Sequence, residues 1–77
     1  MRIILNSADI SLLERAKITF NPTADYSEDE ALQLLERVYD EEVFYAQDAD
    51  TKPSAQMDAT DYAHLADKIQ VQIPAAQ

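Results

Sequence analysis

The chain has no glycine, no cysteine and no tryptophan in 77 residues. Average usage of about 7% would place roughly five glycines in a chain this long. The P-loop, the dinucleotide fingerprint and the nucleophile elbow all use glycine where backbone turns sharply or approaches a ligand closely. None of them is present. Two-residue hairpin turns also lean on glycine, so a meander of tight hairpins is not expected. Without cysteine there is no disulfide and no thiolate zinc site. A single histidine, His64, cannot form a two-histidine metal site.

Positive charge is scarce as well. Six Lys and Arg face 15 Asp and Glu, for a formal net charge of −9 at pH 7. Such a surface repels phosphates and anionic lipid, so direct binding to nucleic acid or membrane is disfavoured. A protein partner with a basic or neutral surface fits it better, and the plainest effect of the charge is solubility. No apolar run approaches the ~18 residues of a membrane span. The opening MRIIL is too short for a signal sequence's apolar region of roughly 7–15 residues, and no small-residue cleavage site follows. A cytoplasmic location is the expectation.

At this length residues 1–77 make one domain. Its core supplies roughly 3–5 kcal/mol, and natural chains of this size often add a metal, a disulfide or a partner subunit. A homodimer is one form such support would take.

The apolar pattern predicts a small, mostly α-helical domain of three helices. Residues 2–5 are a short apolar run. Ser7 has the chemistry of an N-cap and Asp9 suits a first turn. A first helix is expected over residues 8–17, with Ile10, Leu13 and Ala16 on one face, Leu12 broadening it and Lys17 at its negative end. Residues 18–20 alternate as an extended segment does, and Asn21-Pro22 forces a turn. The two extended pieces could pair across the first helix.

The strongest start signal is Ser27-Glu28-Asp29-Glu30, a capping box with Tyr26 and Ala31 in the flanking staple positions. It predicts a long acidic helix from Glu28 to about Gln47, ~30 Å in length. A connection over residues 48–53 follows. A third helix should begin between Ser54 and Ala59, capped by Ser54 or Asp58. Its stripe is Tyr62, Leu65, Ala66, Ile69 and Ile73. Pro74 should end it, leaving residues 74–77 as a frayed tail.

Several residues stand out as candidate sites. Projected at about 100° per residue, the long helix gathers Ala31, Leu35, Val38, Tyr39, Tyr45 and Ala46 on one face, with Leu32 and Leu34 on its flanks. Glu42 falls within about 20° of Ala31, inside that stripe. A buried, unpartnered carboxylate costs several kcal/mol or takes up a proton. Three readings therefore stand for this candidate buried acid. The core ends before it and leaves it wet; it pairs with Arg2, Arg15, Lys17 or a tyrosine hydroxyl; or it is a functional acid in a pocket. His64 and Lys68 project away from the third helix's apolar face.

Phe44 is the opposite anomaly, an aromatic on the polar side and a candidate for a subunit or partner contact. Asp29, Glu36 and Asp40 lie along one outer strip, the kind of acidic row that can occupy the basic groove of a DNA- or RNA-handling protein. Asp25, Ser27 and Asp29, with Glu36 at the twelfth place, echo a calcium loop. Glu30 stands where that loop requires glycine, and the capping box accounts for the same residues. His64, with Asp61 and Lys68 at i−3 and i+4, suits a surface charge cluster better than catalysis.

No catalytic residue, cofactor site or metal site is expected. In size and style the chain is similar to small acidic proteins of bacterial mobile elements, a likeness carried by no motif and transferring no residue role. The expected function is that of a non-enzymatic accessory or regulatory protein working through protein–protein contact. The alternative is an inhibitor that imitates nucleic acid.

Overall fold

Asn6 begins the first helix, α1 (Ser7–Arg15). Its Oδ1 accepts a hydrogen bond from the Asp9 N–H at 2.8 Å, and Asp9 Oδ2 accepts from the Asn6 N–H at 3.1 Å. This is a complete capping box, displaced by one residue from the expected cap at Ser7. Asn caps as well as Ser, and only from Asn6 does an acid fall three places on, where it can reach back.

The helix also closes sooner than expected. Lys17, read as its last residue, instead adopts φ 58°. The Ile18 N–H donates to the Leu13 carbonyl at 2.9 Å and the Lys17 N–H to that of Glu14 at 3.0 Å. This is a Schellman closure. Glycine usually occupies the left-handed position; a Cβ there costs about 1 kcal/mol or more. Leu13 and Ile18, the pair whose contact accompanies this motif, are both buried and offset that cost.

The computed structural model describes residues 1–48 and 53–76, with no strand among them. Residues 2–5 and 18–20 do not pair. A side chain satisfies the first segment instead: the Ile4 N–H donates to Gln72 Oε1 at 2.7 Å, and Gln72 Nε2 donates to the Ile4 carbonyl at 3.0 Å. The amide thus does what a neighbouring strand would do. Side chains of the segment alternate, with Ile3 buried and Ile4 exposed. The Met1 amino group donates to the Tyr26 carbonyl and to Asp25, and the Tyr26 N–H donates to the Met1 carbonyl. The Phe20 and Tyr26 rings stack at 5.7 Å just ahead of the second helix.

The second helix, α2 (Glu28–Asp48), starts as its sequence predicts. The Glu30 N–H donates to Ser27 Oγ and the Ser27 N–H to Glu30 Oε1, both at 3.2 Å. Its buried residues are Ala31, Leu34, Leu35 and Val38. The buried arc is therefore turned toward Leu34, expected on a flank, while Tyr39 and Ala46, expected in the stripe, are exposed. Most of the loop expected over residues 48–53 lies outside the described residues.

The third helix, α3 (Pro53–Gln70), packs along α2. It starts before the expected window, so neither Ser54 nor Asp58 caps it. Pro suits the first helical position because its missing N–H would have no partner there. All of the anticipated stripe, Tyr62, Leu65, Ala66, Ile69 and Ile73, is buried. The α-helix stops at Gln70 rather than at Pro74, since the residue before proline avoids helical angles. Tighter bonds from the Gln72 and Ile73 N–H groups to the carbonyls of Ile69 and Gln70 finish it.

Residues 74–77 were expected as a frayed tail. Pro74–Ala76 forms a 3-10 turn whose Ala76 carbonyl accepts from Gln70 Nε2 at 3.2 Å; Gln77 lies outside the described residues. The Tyr62 hydroxyl ties α3 to α1 by donating to the Leu12 carbonyl at 2.8 Å. Among the described residues no buried side-chain polar atom lacks a partner, and no helix is long and apolar enough to cross a membrane.

Candidate functional site

The helical phase that turns Ala31, Leu34, Leu35 and Val38 inward necessarily turns Asp29, Glu36 and Asp40 outward. All three acids are exposed and form no ion pair among the described residues. One turn past Asp40 the same outer side carries Val43, 54% exposed, and Phe44, 57% exposed. Phe44 is held despite its exposure. Its ring meets Tyr45 edge-on, at 5.3 Å and 83°. Tyr45 in turn stacks on Tyr62 at 5.5 Å and 3°. Edge-on and stacked pairs each contribute about 0.5–1.5 kcal/mol beyond burial. A row of rings thus runs from the core to the surface and orients Phe44 there.

Glu42 is half-buried, and the buried row of α2 ends at Val38, one turn earlier. It forms no hydrogen bond or ion pair among the described residues. Of the three readings open for this candidate buried acid, the one with a partner base is not seen among the described residues: Glu42 stays half-buried between Val38, which is buried, and Tyr45, which packs on Tyr62. Arg15, one of the bases considered for it, bonds Asp58 instead. Tyr39, on the exposed edge, donates its hydroxyl to Gln70 Oε1 at 3.0 Å.

A second feature is a groove of about 490 Å³ between α1 and α3. Lys68 crosses it to Asp9 at 2.8 Å, and Arg15 reaches Asp58 at 3.2 Å. Lys68 therefore turns to α1 rather than to solvent alone, because Asp9 is only 8% exposed and otherwise accepts just the capping bond from Asn6. The Asp58 hydrogen bond and charge raise the Arg15 pKa further above its already high value. Burial raises the pKa of Tyr62 above the usual tyrosine value, so its hydroxyl stays protonated as donor to Leu12.

His64 and Ser11 line the same groove with Asp61. Neither forms a hydrogen bond among the described residues, so the groove holds no nucleophile–base contact. Among the described residues no three His, Asp or Glu side chains converge to hold a metal ion.

The structure separates the site residues read from the sequence into two regions. Asp29, Glu36, Asp40 and Phe44 are exposed on the outer side of α2, whereas Glu42 is half-buried. The ion pairs Asp9–Lys68 and Arg15–Asp58 were not foreseen, since each joins residues far apart in sequence with no local spacing to announce it. No protein-family model, curated protein or solved structure matches the chain.

Proposed function

We propose that this chain is a non-enzymatic accessory or regulatory protein that acts by protein–protein contact through the outer side of α2. The observation supporting this most strongly is the exposed pair Val43 and Phe44 beside Glu36 and Asp40. Interface centres are rich in aromatic side chains that enter pockets, and their rims are polar. Seating a Phe side chain in an apolar pocket contributes roughly 1.5–3 kcal/mol. The aromatic contact with Tyr45 restricts Phe44 in advance, which lowers the entropic cost of docking.

The acids around it select a basic or neutral protein surface and repel nucleic acid and anionic membrane. A second copy of the chain is one such partner if the two Phe44 side chains pack against each other, and the contact would then be a homodimer. The cytoplasm of a bacterial cell, within the setting of a mobile element, is the place of action we assign.

One observation favours a second reading. Asp29, Glu36 and Asp40 are exposed along one strip without ion pairs among the described residues, as an inhibitor that imitates nucleic acid would require. Affinity capture from the native cell at low and high salt, with the wild type and Phe44→Glu, separates the two. A partner retained by wild type at high salt but lost by the variant supports the apolar contact. A partner lost steeply with salt and indifferent to Phe44→Glu supports imitation of nucleic acid, because screening weakens charge-driven binding.

A further inference from the structure

Six basic residues face 15 acids in this chain, so a basic side chain left without a carboxylate is the exception. Lys52 lies outside the described residues. Arg15 bonds Asp58, Lys68 bonds Asp9, and Arg2 acts on the Asp25 carboxylate. The remaining two, Lys17 and Arg37, form no ion pair among the described residues. Both line one groove of about 250 Å³ beside the closing turn of α1 and the first half of α2.

Neither placement is the default. Arg37 has Asp40 and Glu41 three and four residues further along its own helix, within ordinary pairing reach, and bonds neither. Lys17 occupies the left-handed position, φ 58°, where glycine would be unstrained. That position belongs to the Schellman closure of α1, and it directs the Lys17 side chain off the helix end beside this groove.

Neutral donors complete the lining. Thr19 and Gln33 stand on the wall. The Tyr26 hydroxyl oxygen accepts the Asn21 N–H at 2.8 Å, which leaves its own proton to donate. Glu30 is the one acid of the lining; its Oε1 accepts the Ser27 N–H of the capping box, which holds the carboxylate at the helix start but leaves it charged.

We infer that this groove binds the phosphate group of a small phosphorylated molecule, with Arg37 and Lys17 as its two cationic contacts. A phosphate monoester, with nearly two negative charges at neutral pH, is drawn to Arg37 and Lys17 more strongly than a singly charged carboxylate, with Glu30 partly offsetting the attraction in both cases. The planar guanidinium fork suits two phosphate oxygens at once, and the ammonium serves as a point charge for a third. This site uses neither Val43 nor Phe44 and stands independently of the protein-contact reading.

The test is an NMR titration of the 15N-labelled protein with inorganic phosphate at constant ionic strength, and in parallel with acetate. Saturable shifts are expected at residues 17–19, 26 and 33–37, with acetate much weaker. Lys17→Gly and Arg37→Gln should each weaken phosphate binding about tenfold, the loss of one charge-assisted contact. Lys17→Gly also relieves the left-handed strain, so its melting temperature should be at or above that of the wild type and unfolding cannot explain the loss. The inference is overturned if phosphate gives no saturable shift, if acetate binds as well, or if Lys17→Gly keeps wild-type affinity.

Discussion

Tyr62→Phe removes one oxygen from the centre of the fold. The ring is fully buried, stacks on Tyr45 and carries the hydroxyl that joins α3 to the Leu12 carbonyl of α1. Phenylalanine keeps the ring burial and the stack, so the variant isolates the hydrogen bond. The Leu12 carbonyl retains a second donor, the Ala16 N–H at 3.2 Å, so it is not left unsatisfied. The loss should therefore sit in the ordinary net range for one hydrogen bond, about 0.5–1.5 kcal/mol. A chain of this length has a total stability of about 4–12 kcal/mol, so the change is measurable. At about 4–8 °C per kcal/mol for a domain of this size, the melting temperature should fall by roughly 2–12 °C.

The pH dependence of Tyr62 has a definite sign. Burial raises its pKa in the folded state above the unfolded value of about 10. The folded state then holds the proton more tightly, so this stabilisation is complete below about pH 10 and is lost as pH rises through the folded value. Urea melts of both proteins from pH 7 to 11 should show the wild type losing its advantage at the alkaline end. Equal stability at pH 7, or the same alkaline slope in both proteins, would refute the role given to this hydroxyl.

Asn6→Ala should cost about 1 kcal/mol, whereas Ser7→Ala should change stability by less than about 0.5 kcal/mol. Thermal melts that reverse this order would return the α1 cap to Ser7. Ser27→Ala should likewise cost about 1 kcal/mol with the fold retained, as circular dichroism would show. Glu42→Gln should alter stability by less than about 0.5 kcal/mol at neutral pH, because the half-buried side chain has no partner among the described residues; a larger change in denaturant melts would mean that it has one. If the contact at Phe44 is between two copies, sedimentation of the wild type should show a dimer that Phe44→Glu dissolves.

Where chemistry is local, the sequence announces the structure. The capping box at Ser27 and the stripe from Tyr62 to Ile73 each depend on residues within a turn or two, and both appear in the fold as read. The opposing faces of α2 were legible for the same reason, although the exact arc was not. That arc depends on where α3 lies, which no periodicity within α2 encodes. Glu42 shows the limit most clearly: helical phase placed it in the stripe, but its half-burial depends on how neighbouring segments cover it, which that phase does not encode.

Other features were hidden by long separation or by substitution of one device for another. Gln72 binds the Ile4 backbone across almost the whole chain. Asp9 satisfies a cap and an ion pair at once. In a chain without glycine, Lys17 takes a left-handed position that sequence rules assign to glycine or asparagine.

Photocrosslinking in the native cell from a benzoylphenylalanine placed at position 44 tests the central claim most directly. A control probe at Asp67, exposed on α3, reports chance encounters. If the outer side of α2 is the contact surface, position 44 should yield a discrete crosslink to a protein, a partner or a second copy, that position 67 does not. No product from position 44, or the same products from both positions, would contradict it.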